Sequence, residues 1–479
     1  MRLATVALAT SLLLGVGSAQ AVPGNLDPTF GRGGKVTTPI GSGSSAEALL
    51  TQPDGKFVVA GSSWDDGFTV ARYTPAGALD AGFGTGGHVL TKFGPDIDAD
   101  AHAAALQADG QLVVGGERSH LYSADAQFAL ARYEPDGSLD PSFGRVTTTI
   151  AHESRIDAVA VRPDQTIVAA GTTWNATNTH LAFALAHYRP DGSLEGVLTT
   201  PLPDDFYVMT IAFQPDGKIL VVGSNFDLAR FEPDGSFDTG FGSGGIARRP
   251  SGLHGESPRA VAFQPDGKII VAGAYHYRGF ALVRYTASGA LDSSFGSGGE
   301  VVTELGWFSE ALAVSMQPDG MIVAAGTAQD GAIETFAVAR YEANGAIDGT
   351  FGTGGVAVTN LGHWPTIVSG RASALSVQPD GKIVAAGTVE TLTGGGSPTF
   401  GLTRYLVTPG CRVPDVRGDR LADARTAIVG AGCIVGRITR TYSRTVKRDS
   451  VIRQHPAPGT GLAEGARVRL LVSKGTRKR

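Results

Sequence analysis

The stretch QPDGKIIVAG, residues 264–273, has six near copies in the chain, beginning at Gln52, Gln107, Arg162, Gln214, Gln317 and Gln378. Successive copies start 55, 55, 52, 50, 53 and 61 residues apart. Self-similarity at that period restricts the fold to one in which a supersecondary unit is repeated and stacked. Before each copy stands an alternating segment such as AVAF or ALAVSM, and after each comes a run of the FALARY type ending at Tyr73, Tyr133, Tyr188, Phe231, Tyr285, Tyr341 or Tyr405. In six of the seven units a turn and a fourth element of the form LDxxFGxGGxVxT or a remnant of it then follow. Apolar residues alternating with a period of two indicate strands rather than helices. The Pro-Asp-Gly-Lys joint is turn chemistry, because Pro presets φ and Gly accepts positive φ. Each unit therefore reads as four short antiparallel strands, the repeat of a β-propeller blade.

The last unit ends after Tyr405 without its fourth element, while NLDPTFGRGGKVTT near the N-terminus offers that element alone. The spacing predicts that residues 35–39 complete the last blade, so that seven blades close on themselves and leave no open sheet edge. Taken together, LDxxFGxGGxVxT, QPDGKIVVAG and FALARY resemble the Delta-60 repeat family of β-propellers over about residues 24–406. The resemblance implies a mostly β fold and no particular activity. The third unit departs most: Gln165 replaces the turn glycine, and GSLEGVLTT lacks the Phe-Gly pair. A distorted blade is expected there.

The N-terminal MRLATVALATSLLLGVGSAQA has the charge, apolar run and small-residue end of a secretory signal, predicted to be residues 1–21. No other apolar stretch is long enough to cross a bilayer. The expected product is secreted and monomeric, with a propeller over residues 22–406, a linker at 407–410, a second domain at 411–475 and a basic tail at 476–479. Residues 411–479 hold 16 Lys and Arg against 5 Asp and Glu, whereas the whole chain is at -5. An acidic body thus carries a basic segment, which favours an anionic partner. Export argues against nucleic acid as that partner.

VPDV at 413–416 with Gly418, QHPAPG at 454–459, and Gly465, Val468, Leu470, Val472, Ser473 and Gly475 resemble a PASTA domain, a small α+β fold. Such domains occur in bacterial cell-wall kinases and penicillin-binding proteins, and some bind peptidoglycan. The resemblance implies association with peptidoglycan or an anionic wall polymer through residues 411–479. In an exported chain, Cys411 and Cys433 within so small a domain are expected to form a disulfide.

The aspartates that recur in the repeat read as turn and capping residues. The arginine that precedes the strand-ending Tyr or Phe in six of the seven units is expected to contact a neighbouring turn or blade. Specificity belongs on the loops that differ between blades, and these hold Trp64, His120, Trp174, His276, Trp307 and Trp364. Aromatic rings beside Asp and His suit a glycan or a protein segment. Asp96, Asp98 and Asp100 in DIDADAH are a weak calcium candidate, read as lying on a loop. No HExxH, GxSxG or cysteine nucleophile is present in the propeller. The expectation is a non-enzymatic binding or scaffold protein without a cofactor. The alternatives are an extracellular propeller enzyme acting on glycans or lactones, marked by His, Asp and Glu clustered where the innermost strands meet, and a purely structural wall component.

Overall fold

The computed structural model describes residues 23–476 except 65–66, 121–122, 124, 175–180, 250–256, 331–332, 363–367, 392–395, 408–410, 459–460 and 463–466. The expected signal peptide, Trp364 and the last three residues of the basic tail therefore lie outside the described residues. Two compact units are present, one spanning Pro23–Val407 and the other containing Thr408–Arg479. No helix among the described residues is long and apolar enough to cross a membrane.

The larger unit contains seven four-stranded antiparallel sheets among the described residues. Sheet 1 runs Ser44–Thr51, Phe57–Ser63, Gly67–Tyr73 and His88–Thr91. Sheets 2 to 6 begin with Ile97–Leu106, Glu153–Val161, Val208–Phe213, Ser257–Phe263 and Glu310–Met316, each followed in order by its other three strands. Sheet 7 takes Val368–Val377, Ile383–Thr391 and Thr399–Tyr405 from the end of the unit and Lys35–Thr38 from its beginning. Lys35 pairs with Thr403 and Thr38 with Phe400, antiparallel. The third unit, despite its lost motifs, still forms a complete sheet, with Leu194–Pro201 as a largely exposed fourth strand.

Seven apolar clusters lie between the sheets, each drawing buried residues from two successive ones. One of them joins Phe57 and Tyr73 of sheet 1 to Ala386 and Phe400 of sheet 7. The first strands adjoin one another in the same order, and that of sheet 7 adjoins that of sheet 1.

The repeated motifs turn out to be ties between sheets. Arg132 Nε donates to Asp140 Oδ2 at 2.6 Å, its Nη1 donates to the Pro190 carbonyl of the next unit at 2.6 Å, and its guanidinium lies 4.7 Å from the Phe143 ring centre. The same Arg-Asp pair and ring contact recur at Arg72, Arg230, Arg284 and Arg340. At Arg404 the partner is Asp27, at 3.0 Å across 377 residues of sequence. The expected turn role of these aspartates also holds, since Asp140 Oδ1 accepts the Ser142 N–H at 2.7 Å. In sheet 3, where His187 replaces the arginine, Arg162 at the start of the repeat donates to the Pro233 carbonyl at 3.3 Å and supplies the missing tie. A second set links tyrosine to threonine across sheets, as in Tyr73 Oη donating to Thr38 Oγ1 at 2.9 Å.

The glycine that ends QPDGKIIVAG has a steric cause. A Cβ on Gly61, Gly116, Gly171, Gly273, Gly326 or Gly387 would fall within 2.2 Å of a carbonyl oxygen on the neighbouring first strand. That carbonyl sits beside the β-bulge that every first strand carries at the corresponding place.

The smaller unit packs helix α1, Leu421–Gly430, on a three-stranded sheet of Ile434–Thr441, Arg467–Ser473 and Val451–His455, with Arg467–Ser473 in the middle. Val416, Ala424, Ile428, Val451, Val468 and Val472 form its core. Gln454 ties the VPDV segment down, accepting the Val416 N–H at 2.8 Å and donating to the Pro414 carbonyl at 2.7 Å. Cys433 is buried in this core, and the Cys411 side chain lies outside the described residues.

Candidate functional site

A β-bulge inserts one residue into a strand and re-aims its side chain, and bulges gather near active sites. The residue inserted is Glu47 in sheet 1, His102 in sheet 2, Asp157 in sheet 3, Met209 in sheet 4, Arg259 in sheet 5 and Leu312 in sheet 6. In sheet 7 the irregularity covers Ala372 and Ser373. Two residues earlier, on the same strands or for Tyr207 just ahead of one, stand Ser45, Asp100, Arg155, Tyr207, Ser257, Glu310 and Arg371. The scaffold repeats, yet these two positions differ from sheet to sheet. One asymmetric group of side chains results where the first strands adjoin.

Its charges divide into two sectors. Glu310, buried, accepts from Arg259 Nε at 3.2 Å and from Arg371 Nη2, so sheets 5, 6 and 7 are joined by a triad with one positive charge in excess. Sheets 1 to 3 hold the carboxyls in excess. Glu117 lies directly across from Asp100, and its carboxylate is 4.0 Å from His102 Nε2. Arg155 Nε donates to Asp157 at 2.9 Å. Burial pushes the Glu117 carboxyl up to about 7, with Asp100, Asp157 and Glu153 adding to the rise against the opposing pull of Arg155. Glu47 is reached by solvent, yet protein crowds it, and that burial, with Asp100 nearby, also raises it to about 7 despite Arg371. Burial and then Arg155 lower His102 to about 4, which keeps it a neutral imidazole at physiological pH. Carboxyls poised near neutrality beside a neutral histidine and an arginine have the pKa values that proton transfer needs.

A cavity of about 430 Å³ opens beside this group, lined among others by Glu117, Glu153, Arg155, Trp174 and Tyr207. Glu153 is the cross-strand partner of Trp174 at the end of sheet 3, and Tyr207 enters from the start of sheet 4. The arrangement offers two aromatic surfaces, two carboxyls and one guanidinium to a ligand of small-sugar size.

Of the residues expected on the variable loops, Trp174 thus lines this cavity. Trp307 stacks on Arg278 at 3.7 Å, and Leu305 and Ser309 bond to the loop that carries His276. That brings Trp307 and His276 onto adjoining loops. Trp64 is exposed beside Gly43, and His120 pairs with Asp125 at 2.5 Å. The aspartates of DIDADAH need correction. Asp98 and Asp100 lie on a strand, Ile97–Leu106, not on a loop, and Asp100 belongs to the inner group. Among the described residues no three His, Cys, Asp or Glu are placed to hold a metal ion.

Glu117 also gives a pH test. A carboxyl raised to about 7 in the fold contributes its full stability below its unfolded value of about 4.3 and loses it as pH rises through 7. Glu117→Gln is expected to raise the melting temperature by roughly 1–3 °C at pH 8 and to leave it unchanged at pH 4. An equal shift at both pH values would contradict the strained-carboxylate account.

The chain matches the profile described as "Domain of unknown function (DUF5122) beta-propeller" at residues 52–83, 107–143, 214–241, 264–295, 317–351 and 378–406. The unmatched unit is the third, the one with His187 and Gln165 in place of the usual residues. Residues 412–474 match the PASTA domain. The chain therefore carries β-propeller repeats of the DUF5122 type and a C-terminal PASTA domain. Among solved structures it is similar to a protein of unknown function from Dyadobacter fermentans at 8% identity and a TM-score of 0.41, over 80% of this chain and 100% of that one. YCF48 from Cyanidioschyzon merolae matches at 10% and 0.43, over 77% and 98%. The Pan2 WD40 domain of Neurospora crassa matches at 11% and 0.42, over 80% and 97%. Likenesses this loose identify no function.

Proposed function

We propose that this is an exported, wall-associated binding protein: a closed seven-bladed propeller that presents a recognition cavity, joined to a PASTA domain that holds it to peptidoglycan. The ring reading is supported by the apolar cluster shared by sheets 1 and 7 and by Lys35–Thr38 as the fourth strand of the last sheet. Repeats that are uniform in their ties and unlike at their innermost positions favour a scaffold carrying one specific site. The observation that carries the recognition role is the cavity where Trp174 and Tyr207 face Glu117, Glu153 and Arg155. Those groups suit a saccharide, with rings for the apolar sugar face and charged groups for its hydroxyls. The wall address rests on the PASTA match and on the signal-like residues 1–21.

A second reading has its own support. Glu117, His102 and Arg155 form the acid-base cluster at the inner strands that a glycan-acting enzyme would need.

Co-sedimentation with purified peptidoglycan tests both. The chain from Pro23 to Arg479 is expected to sediment and the chain ending at Val407 is not, with binding retained at high salt. Sedimentation of both, or of neither, would remove the anchoring role. Soluble reducing ends released by the full chain and lost with Glu117→Gln would replace the binding role with hydrolysis.

A further inference from the structure

We propose that the PASTA unit carries a binding cleft for a phosphodiester polymer, formed by Arg420, Arg425, Arg440 and Arg448. The inference rests on reading this unit as wall-facing, and it adds the chemistry of what the unit touches there. A cleft of about 580 Å³ is lined by these four arginines with Leu421, Ala422 and Asp449. The arginines come from separate elements. Arg420 precedes helix α1 and Arg425 lies within it, Arg440 is near the end of Ile434–Thr441, and Arg448 sits in the turn before Val451–His455. Their convergence is therefore a product of the fold, not of one basic run in the sequence.

One acid faces four bases. Asp449 Oδ1 accepts from Arg440 Nη1, and its Oδ2 lies 3.7 Å from Arg448 Nε. That carboxylate is held below the usual range first by the Arg440 hydrogen bond. Arg420 and Arg425 have no acidic partner among the described residues. The cleft thus has a surplus of positive charge, and its guanidinium N–H groups stay open to a ligand.

The turn that sets two of the arginines is fixed on both sides. Asp449 adopts φ 64, its N–H donates to the Ser473 carbonyl at 2.9 Å, and its carbonyl accepts the Leu421 N–H at 2.9 Å. The left-handed turn is tied to the central strand and to the start of the helix at once. A non-glycine residue held in that region marks a place where the surrounding structure over-determines the backbone. Here the result is an arginine pair oriented before any ligand arrives, which lowers the cost of binding.

The ligand class follows from counting charge. A neutral glycan strand leaves the guanidinium groups uncompensated. A lone carboxylate, such as the end of a short peptide, is satisfied by one bidentate arginine. Guanidinium groups from separate elements are matched by anions repeated along one chain. A phosphodiester unit keeps a full charge at any physiological pH and offers two oxygens to each planar fork. Leu421 and Ala422 at the cleft surface give the carbon spacers between phosphates an apolar contact.

The test is calorimetric titration of the chain from Pro23 to Arg479 with poly(glycerol phosphate), at low and at physiological salt. Replacing the unpaired arginines with Arg420→Gln and Arg425→Gln is expected to weaken binding about tenfold or more and to flatten its dependence on salt. Arg467→Gln with Arg469→Gln removes equal charge outside the cleft and is expected to weaken it less than about threefold, by long-range attraction alone. Circular dichroism confirms that both variants remain folded. Equal losses from the two pairs would overturn the site, as would equal affinity for polyglutamate of the same charge. Peptidoglycan stripped of its phosphodiester polymers separates this inference from the anchoring role. Sedimentation with stripped wall but no binding to poly(glycerol phosphate) defeats the inference alone. Polymer binding without sedimentation leaves the inference standing and defeats the peptidoglycan anchor.

Discussion

A chain that begins at Gly41, and so lacks residues 23–40, is expected to lose its soluble monomeric state or to melt on the order of 10 °C lower than the parent. The missing segment is tied to the last sheet at two places. Gly24 and Asp27 N–H groups donate to the Leu406 and Arg404 carbonyls at 2.8 Å each, and Lys35–Thr38 continues the pairing along Thr399–Tyr405. Thr38 receives the Tyr73 hydroxyl, and Phe30 packs with Phe57 and Tyr73 in the cluster between sheets 1 and 7. Removing the segment exposes the edge of a strand whose last six residues are buried, a template for pairing with another chain. It also leaves Arg404, 6% exposed, without Asp27. Size-exclusion chromatography and a thermal melt measure the effect. Adding a synthetic peptide of residues 23–41 should restore much of the loss by strand addition. A shortened monomer that melts within about 2 °C of the parent would show that the N-terminal strand does not hold the last sheet.

The same segment shows how far the sequence could be read. The fourth element missing after Tyr405 and its orphan copy at residues 26–38 were legible because the motif is linear and its partners share one register. The turns were legible for a similar reason, since Pro53-Asp54-Gly55 specifies its own backbone and Gly55 sits at φ 82. The inner group was harder. Five residues before each repeat start stand Glu47, His102, Asp157, Met209, Arg259, Leu312 and Ser373, and seven before stand Ser45, Asp100, Arg155, Tyr207, Ser257, Glu310 and Arg371. No motif marks these columns, because their content is that they differ. Strict alternation also misplaces them, since a bulge shifts which side chains share a face. That is why the sequence pattern does not place Asp98 and Asp100 on the strand Ile97–Leu106. The signal that would have found the group is polar variety inside an otherwise apolar column of the aligned repeats. The Arg cleft was hidden for another reason: its members are spread over 30 residues of sequence, from Arg420 to Asp449, and meet only in the folded unit.

Asp140→Ala is expected to destabilise the propeller unit by about 3–5 kcal/mol, because it strands Arg132 in the interior without a counter-charge. Arg132 and Asp140 are 5% and 2% exposed. Combining Asp140→Ala with Arg132→Met should recover most of that loss, since the cost lies in the orphaned charge more than in the lost pair. Acid acts on the same tie. Burial alone would raise the Asp140 carboxyl, but the Ser142 hydrogen bonds and Arg132 together hold it below the usual value. Its stabilisation is therefore complete above about pH 4 and disappears as pH falls through the lowered folded pKa. The tie also bears on the candidate site. Arg132 reaches from sheet 2 to the Pro190 carbonyl, in the turn between the last two strands of sheet 3. Those two sheets supply Asp100, His102 and Glu117 on one side and Arg155 and Asp157 on the other. If the repeat ties hold the inner group in place, the single variant should raise the His102 pKa from about 4 toward its free value of about 6.5, as Arg155 draws away and water enters. The titration is followed by NMR of the ring, with the double variant as comparison. A destabilised single variant with an unmoved His102 would separate the two roles, leaving Arg132–Asp140 as a support of the scaffold that the inner group does not feel.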